Sequence, residues 1–410
     1  MCGALIALAL LCAPAADLHR YFTPDEIAEF HAFRKPRWVR AFADQAAQLL
    51  LFAAFIGFKL DRKMRERCDR AAARLPRSRL LARLWGDDTW SGAVLFALGW
   101  FGIALLIDLP QDLYFDYWQL KHYGLSTQSP LRHAALYLRE AAFGAGALSM
   151  LAFGLYGLAR RARRWWLLLG LPSAILIAVA GFADPARAQL DHDFTPLPPG
   201  PTRSALEDLL SRANVEYAGL FQIDAGRDTS TLDAFVVGQG PTRRIALFDT
   251  LVRELTPREA AAVVAHELGH LSEGRSFRLA FAALAVIPLL GLFAWVLRAL
   301  GRTGRFGFTS DSDVTSLPAA MALAWLASTV ALPLSQADSR ARESRADRFA
   351  LELTRDPEAF RNAMIKVTRA AKADLSPPAL VVALLYSHPP MAERIGEAVE
   401  WAKAHGVKEP

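Results

Sequence analysis

Six stretches of this chain are apolar for long enough to cross a bilayer, at 43–60, 92–109, 141–159, 165–183, 278–298 and 316–335. Their interiors are nearly free of charge, and arginines bracket most of them. A helix that is apolar around its whole circumference offers no face to water, which is the pattern of a membrane span rather than of a soluble bundle. Residues 1–16 form a further apolar run ending in Ala13-Pro14-Ala15-Ala16. It reads either as a cleaved signal peptide or as a short first span. The predicted organisation is an N-terminal membrane region over 17–183, then a region over 184–410 in which soluble segments alternate with the last two spans.

The pattern changes after residue 184. A proline-rich entry, Thr195-Pro196-Leu197-Pro198-Pro199-Gly200-Pro201, leads to a soluble helix over 202–213. Alternation in Ala234-Phe235-Val236-Val237 and Arg244-Ile245-Ala246-Leu247-Phe248, joined by Gly238-Gln239-Gly240-Pro241-Thr242, predicts a β-hairpin. Thr256-Pro257-Arg258-Glu259 then supplies an N-cap threonine, a proline at the first helical position and a capping-box glutamate. A helix starts there, and Gly274 is the expected terminator.

Inside that helix stands His266-Glu267-Leu268-Gly269-His270. Histidines at i and i+4 share one helix face, so both imidazoles reach one metal. Glu267, beside the first histidine, is placed to act as general base toward water at that metal. A catalytic zinc needs a third protein ligand. Glu343 and Asp347, four residues apart, share one face of a second helix. There Glu343 completes the metal site, and Asp347 accepts the free ring N–H of a ligand histidine. The competing reading is an ordinary charged face laced by i,i+4 ion pairs. His388 sits before two prolines in Ser387-His388-Pro389-Pro390, which hold it in extended or turn geometry. From there it is expected to donate to a developing oxyanion, with Arg394 orienting substrate or the wall of the site. Two spans separate the His266 helix from Glu343, and an even number keeps both on one side of the membrane.

The order HExxH, Glu-xxx-Asp, Ser-His-Pro-Pro resembles the integral-membrane zinc metallopeptidases typified by the type I CAAX prenyl endopeptidases. Asp193-Phe194-Thr195-Pro196-Leu197-Pro198 is similar to the segment before that family's soluble domain. Arg244-Ile245-Ala246-Leu247-Phe248-Asp249-Thr250-Leu251 is similar to the strand before its catalytic helix. Leu109-Pro110 through Tyr114, with Tyr123-Gly124-Leu125-Ser126-Thr127-Gln128, resembles a loop between two of its spans. The resemblance implies a mainly α, polytopic membrane protein. About six to seven transmembrane helices would enclose a chamber beside a zincin-like α+β catalytic domain with a short β-hairpin. It also implies one Zn²⁺ per chain on His266, His270 and Glu343, Glu267 as base, and His388 and Arg394 as helpers. Asp233-Ala234-Phe235 falls on the strand that lines the family's substrate cleft, where Asn-Ala-Tyr is usual. An amide both donates and accepts, whereas a carboxylate only accepts, so this departure bears on substrate preference. Gln119 stands where the family commonly has glutamate.

Composition narrows the partners. The 410 residues are 53% apolar, high for a soluble protein. The net charge of +6 is concentrated in loops beside the spans, as in the run from Arg62 to Arg83. Topology accounts for that excess without a nucleic-acid partner, so the expected partners are peptide or protein substrates and the lipid bilayer. Cys2, Cys12 and Cys68 build neither a disulfide framework nor a thiolate metal site. The basic loops at 61–89, 160–164 and 298–305 fall on the side opposite the catalytic segments. The positive-inside rule then predicts a site on the periplasmic face of a bacterial inner membrane, whereas the eukaryotic members imply a cytosolic one. The predicted function is a membrane-embedded zinc metalloendopeptidase acting on extended or membrane-associated polypeptides. The alternative is a catalytically silent membrane scaffold that keeps the fold.

Overall fold

The computed structural model describes residues 18–76, 78–87, 89–175, 193–238, 240–273 and 275–407. The apolar run at 1–16 and the second half of the 165–183 window lie outside them. Helix α1 (Pro24–Gly57) opens on Thr23, whose backbone N–H donates to Glu26 Oε2 at 2.8 Å in a capping box. Helix α2 (Leu60–Ala72) follows. Next comes α3 (Trp90–Gln111), which continues through a π-helical segment, Asp112–Gln119, to His122. Helix α4 (Pro130–Arg161) returns across the bundle, and a short apolar helix, Trp165–Ile175, follows it.

The second region contributes α5 (Pro201–Arg212), α6 (Pro257–Gly269), α7 (Arg275–Arg302), α8 (Leu317–Thr354), α9 (Pro357–Ala371) and α10 (Met391–Ala404). Among the described residues, five helices are long and apolar enough to cross a membrane: α1, α3 with its extension, α4, α7 and α8. Their side chains show why. Leu106, Met150, Leu284 and Val330 are each about 70% exposed or more, which is tolerable only where lipid replaces water. The sixth predicted window is represented only by Trp165–Ile175.

Four strands form one small sheet: β1 (Phe194–Pro196), β2 (Gly219–Ile223), β3 (Ala234–Val237) and β4 (Arg244–Phe248). The spatial order is β1-β2-β4-β3, with β2 and β4 parallel and the outer pairs antiparallel. The predicted hairpin is β3–β4, in register Ala234 with Leu247 and Val237 with Arg244. It turns at Gly238, whose φ of +89° suits glycine and whose missing Cβ would lie 2.6 Å from the Thr242 carbonyl oxygen. Strand β3 is an edge of the sheet.

One core unites the second region. Leu206, Leu209 and Leu210 of α5, Ile245 and Leu247 of β4, Ala260 to Ala265 and Leu268 of α6, and Ala350 and Leu351 of α8 are all buried in it. Phe22, just before α1, and Phe30, in its second turn, join the same core. A second tie comes from the loop between α3 and α4. Thr127 N donates to Asp228 O at 3.2 Å, and Ser230 N donates to Leu125 O at 3.2 Å. Arg132 at the start of α4 pairs with Asp228. The membrane helices and the catalytic segments are thus fastened together at one end of the bundle.

Candidate active site

The site is built on α6. Thr256 N donates to Glu259 Oε2 at 2.7 Å, the reciprocal half of the predicted capping box, and Lys366 of α9 holds the same carboxylate oxygen at 2.7 Å. Ala260 through His266 are all buried, so the helix is fixed on every side before its chemical residues begin. It ends earlier than the sequence suggested. The α geometry stops at Gly269, and His270 opens a single 3-10 turn to Ser272, while Gly274 lies outside the described residues. Gly269 is where α6 meets α8: a Cβ there would stand 2.8 Å from Ala346 Cα. Only a residue without a side chain lets the two backbones approach this closely.

That contact brings the distant Glu343 to the two histidines. His266 Nε2 lies 3.2 Å from His270 Nε2 and 3.2 Å from Glu343 Oε2, and His270 Nε2 lies 3.5 Å from Glu343 Oε1. The far nitrogen of each imidazole faces a carboxylate, His266 Nδ1 to Asp347 Oδ1 at 2.7 Å and His270 Nδ1 to Glu273 Oε1 at 2.8 Å. A carboxylate accepts, so each Nδ1 carries the proton and each Nε2 turns its remaining position inward. Ligands at 2.0–2.1 Å in tetrahedral geometry stand roughly 3.3 Å apart, close to all three observed separations. Two imidazole nitrogens and one carboxylate at this spacing fit a zinc ion.

The same carboxylates also favour the protonated His266 ring, with which a bound metal would compete. Burial works to lower the His266 imidazole, but Asp347 and Glu343 outweigh it and raise it to about 9. Arg394, fully enclosed, donates to both oxygens of Asp347 at 2.7 and 2.5 Å. Of the two roles expected of Arg394, orienting substrate or orienting the wall of the site, its contacts favour the second: it fixes the carboxylate that fixes His266. Glu267 is pushed up to about 7, chiefly by burial, with Asp233 and Glu343 adding to the shift. Asp233 is open to the cavity, yet its withdrawal from bulk water raises its carboxyl to about 6.

His388 lies at the rim, its side chain 55% exposed and Nε2 at 3.4 Å from Glu343 Oε2. Ser387 Oγ sits 2.9 Å from His388 Nδ1 and leaves Nε2 toward the site. Asp233, at the start of edge strand β3, lines the same cavity of about 570 Å³ as His266, Glu267, His388 and Arg394. Ala234 is buried behind it, and Phe235 pairs with Ala246 instead of lining the cavity. The structure therefore collects all the predicted metal and catalytic residues, and one of the three strand residues.

Two residues escaped the sequence reading. Glu273 follows His270 by three positions, a spacing that places it within reach of the ring. Arg34 of α1 lines the cavity although it lies more than two hundred positions away in sequence, and no local pattern marks it. Gln119, the second departure noted above, is buried where its amide donates to Phe33 O at 3.0 Å and accepts from Arg37 at 3.2 Å. A glutamate there could not donate.

Comparison with known proteins agrees with this geometry. The sequence profile of peptidase family M48 matches residues 199–402. The uncharacterized metalloprotease YhfN of Bacillus subtilis is 29% identical over 308 residues, covering 72% of this chain and 70% of that protein. A CAAX prenyl protease 1 homolog of Arabidopsis thaliana is 31% identical over 218 residues, covering 51% of this chain and 49% of that protein. The match thus spans about half the length of the plant relative. The crystal structure of S. mikatae Ste24p superposes with a TM-score of 0.79 at 19% identity, over 96% of this chain and 93% of that one. The chain belongs to peptidase family M48 and is a multi-pass membrane metalloprotease.

Proposed function

We propose that this protein is a zinc endopeptidase that cleaves extended or membrane-associated polypeptides with Glu267 as its proton carrier. The observation that supports it best is the convergence of His266 Nε2, His270 Nε2 and Glu343, with both Nδ1 atoms anchored on carboxylates. A zinc ion held there supplies Lewis-acid activation of water and of the scissile carbonyl. Glu267 takes the proton of the attacking water and returns it to the leaving amine. His388 donates from the rim to the oxyanion that develops on the carbonyl. Asp347 and Arg394 hold His266 in one tautomer and one orientation. The free edge of β3 accepts an extended peptide by strand addition, and Asp233 meets it where the cavity opens.

The test is cleavage of a quenched extended peptide by detergent-purified protein, comparing wild type with Glu267→Gln. The variant is expected to keep one zinc per chain and lose on the order of 100-fold or more in turnover. Wild-type rates in the variant would sink the base assignment. Retained zinc with no cleavage by wild type would favour the scaffold reading.

The membrane is the bacterial inner membrane, and the site faces the periplasm. Helix α4 runs from Arg132, paired with Asp228 of the catalytic region, to Arg160 and Arg161. Its 32 residues separate those ends by about 48 Å. At the far end Arg298 donates to Arg163 O at 2.5 Å, so two of the three basic loops lie together, away from the metal residues. Loops rich in arginine stay in the cytoplasm. A C-terminal alkaline phosphatase fusion should be active, and an inactive one would reverse the orientation.

A further inference from the structure

Three arginines line the catalytic cavity, and two of them are paired with carboxylates. Arg394 is clamped on Asp347, and Arg37 donates to Asp116 Oδ1 at 2.8 Å. Arg34 has no carboxylate partner among the described residues. Its Nε and Nη2 donate to Lys372 O at 3.0 Å and Ala371 O at 2.6 Å, the carbonyls at the C-terminal end of α9. Asp374, on the same wall, is occupied otherwise: Oδ2 meets His31 Nδ1 at 3.0 Å, and Oδ1 accepts from Ser376 N at 2.9 Å. The chain therefore holds a half-buried guanidinium at the cavity wall through two backbone carbonyls, with Asp374 near enough to act on its charge but bonded elsewhere. Capping a helix end accounts for two of its nitrogens, but a planar cation with a nitrogen to spare is also the group best suited to a carboxylate.

We infer that Arg34 forms an anion subsite of the catalytic cavity, which selects polypeptides presenting a carboxylate on the side of the bound segment that faces α1. This rests on the peptidase reading above for what occupies the cavity. The same cavity is lined by Asp233 and Glu267, so acidic groups at the strand edge and on α6 share it with a cation of α1. A bound segment is oriented by that difference as well as by strand pairing. The carboxylate comes either from the free C-terminus of the substrate or from an acidic side chain.

Binding of fluorescein-labelled extended peptides to full-length Glu267→Gln protein in detergent reads the subsite without turnover. One pair compares a free C-terminal carboxylate with its amide, and a second compares glutamate with glutamine at successive positions of the amidated peptide. Tighter binding of the carboxylate member by about tenfold or more is expected in one pair, and the pair that responds identifies the source. Adding Arg34→Gln should bring that ratio to about 1, whereas Arg34→Lys should keep it above 1. Equal binding within both pairs would overturn the inference. So would an Arg34→Gln protein that weakens both members by the same factor, the mark of a helix cap alone. If Arg34→Gln fails to fold, the ratios in the Arg34-containing protein and in Arg34→Lys decide. Cleavage of the same peptides by wild type is scored separately, so failure of the peptidase reading leaves the binding ratios to judge the subsite.

Discussion

The two halves of α8 follow opposite rules within one unbroken helix. In the first half Leu326, Val330 and Leu334 are 51–69% exposed. In the second, Glu343 is 7% exposed and Asp347 is fully buried, with Ala346, Ala350 and Leu351 beside them. Apolar side chains point outward where the surroundings are lipid, and charged ones point inward where His266 and Arg394 await them. Carrying a metal-binding residue on the extension of a membrane span fixes its height and rotation relative to the bilayer. Thirty-eight residues of helix give a rod of about 57 Å, long enough to cross and to enter the catalytic region.

The contrast is broken most directly in the buried half. Glu343→Ala should strip the metal and abolish cleavage, a larger loss than the ~10–100-fold typical of an outer partner such as Asp347. Metal content per chain checks this, and a fully loaded variant would remove Glu343 from the site. The two rules are weighed against each other by truncating one leucine in each half. Leu351→Ala should cost about 2–5 kcal/mol, whereas Leu334→Ala should cost under about 0.5 kcal/mol. Denaturation in detergent micelles reads both, and equal losses would mean that the halves do not differ as described.

Gly269→Ala sharpens the point at which α6 meets α8. Its Cβ would press on Ala346 Cα at 2.8 Å, costing about 1–3 kcal/mol and moving His270 away from Glu343. Weaker zinc binding by competition with a chelator is the expected readout, and unchanged affinity would show that the crossing tolerates a side chain. A modest effect that depends on pH lies where α8 gives way to α9. Asp356 accepts from Ala359 N at 3.0 Å as the N-cap of α9 and is held by Arg258 at 2.6 Å. Burial opposes ionisation there, but these partners outweigh it and hold the carboxyl below its usual range. A depressed native value stabilises above the unfolded value and loses that stabilisation as pH falls through the native one. Asp356→Asn should therefore cost about 1 kcal/mol at neutral pH, with the difference from wild type narrowing below about pH 4. A constant difference across that range would rule out the ionised cap.

Much of the site was legible because its parts are local. A capping box and a histidine pair at i and i+4 are properties of one helix, and Asp347 at i+4 from Glu343 is a property of another. Glu273, three positions after His270, has the same legibility. Local signals predict the end of α6 at Gly274, whereas its α geometry ends at Gly269, where it meets α8 in a contact that no local signal contains. The apolar stretch at 316–335 and the polar segment after it read as separate elements, since one shuns water and the other is charged. Helix propensity carries the chain across that change of surroundings without interruption.

The sequence by itself marked the long apolar windows, the start of α6, and the histidine pair and carboxylates that come together around it. Each depends on spacing along one helix or on a run of one kind of side chain. Only the tertiary structure decided that α1 lends Arg34 to the cavity wall, that β3 is the free edge beside Glu267, and that Arg394 serves Asp347. Those relations join residues distant in sequence, and they exist only once buried apolar surface has brought the segments together.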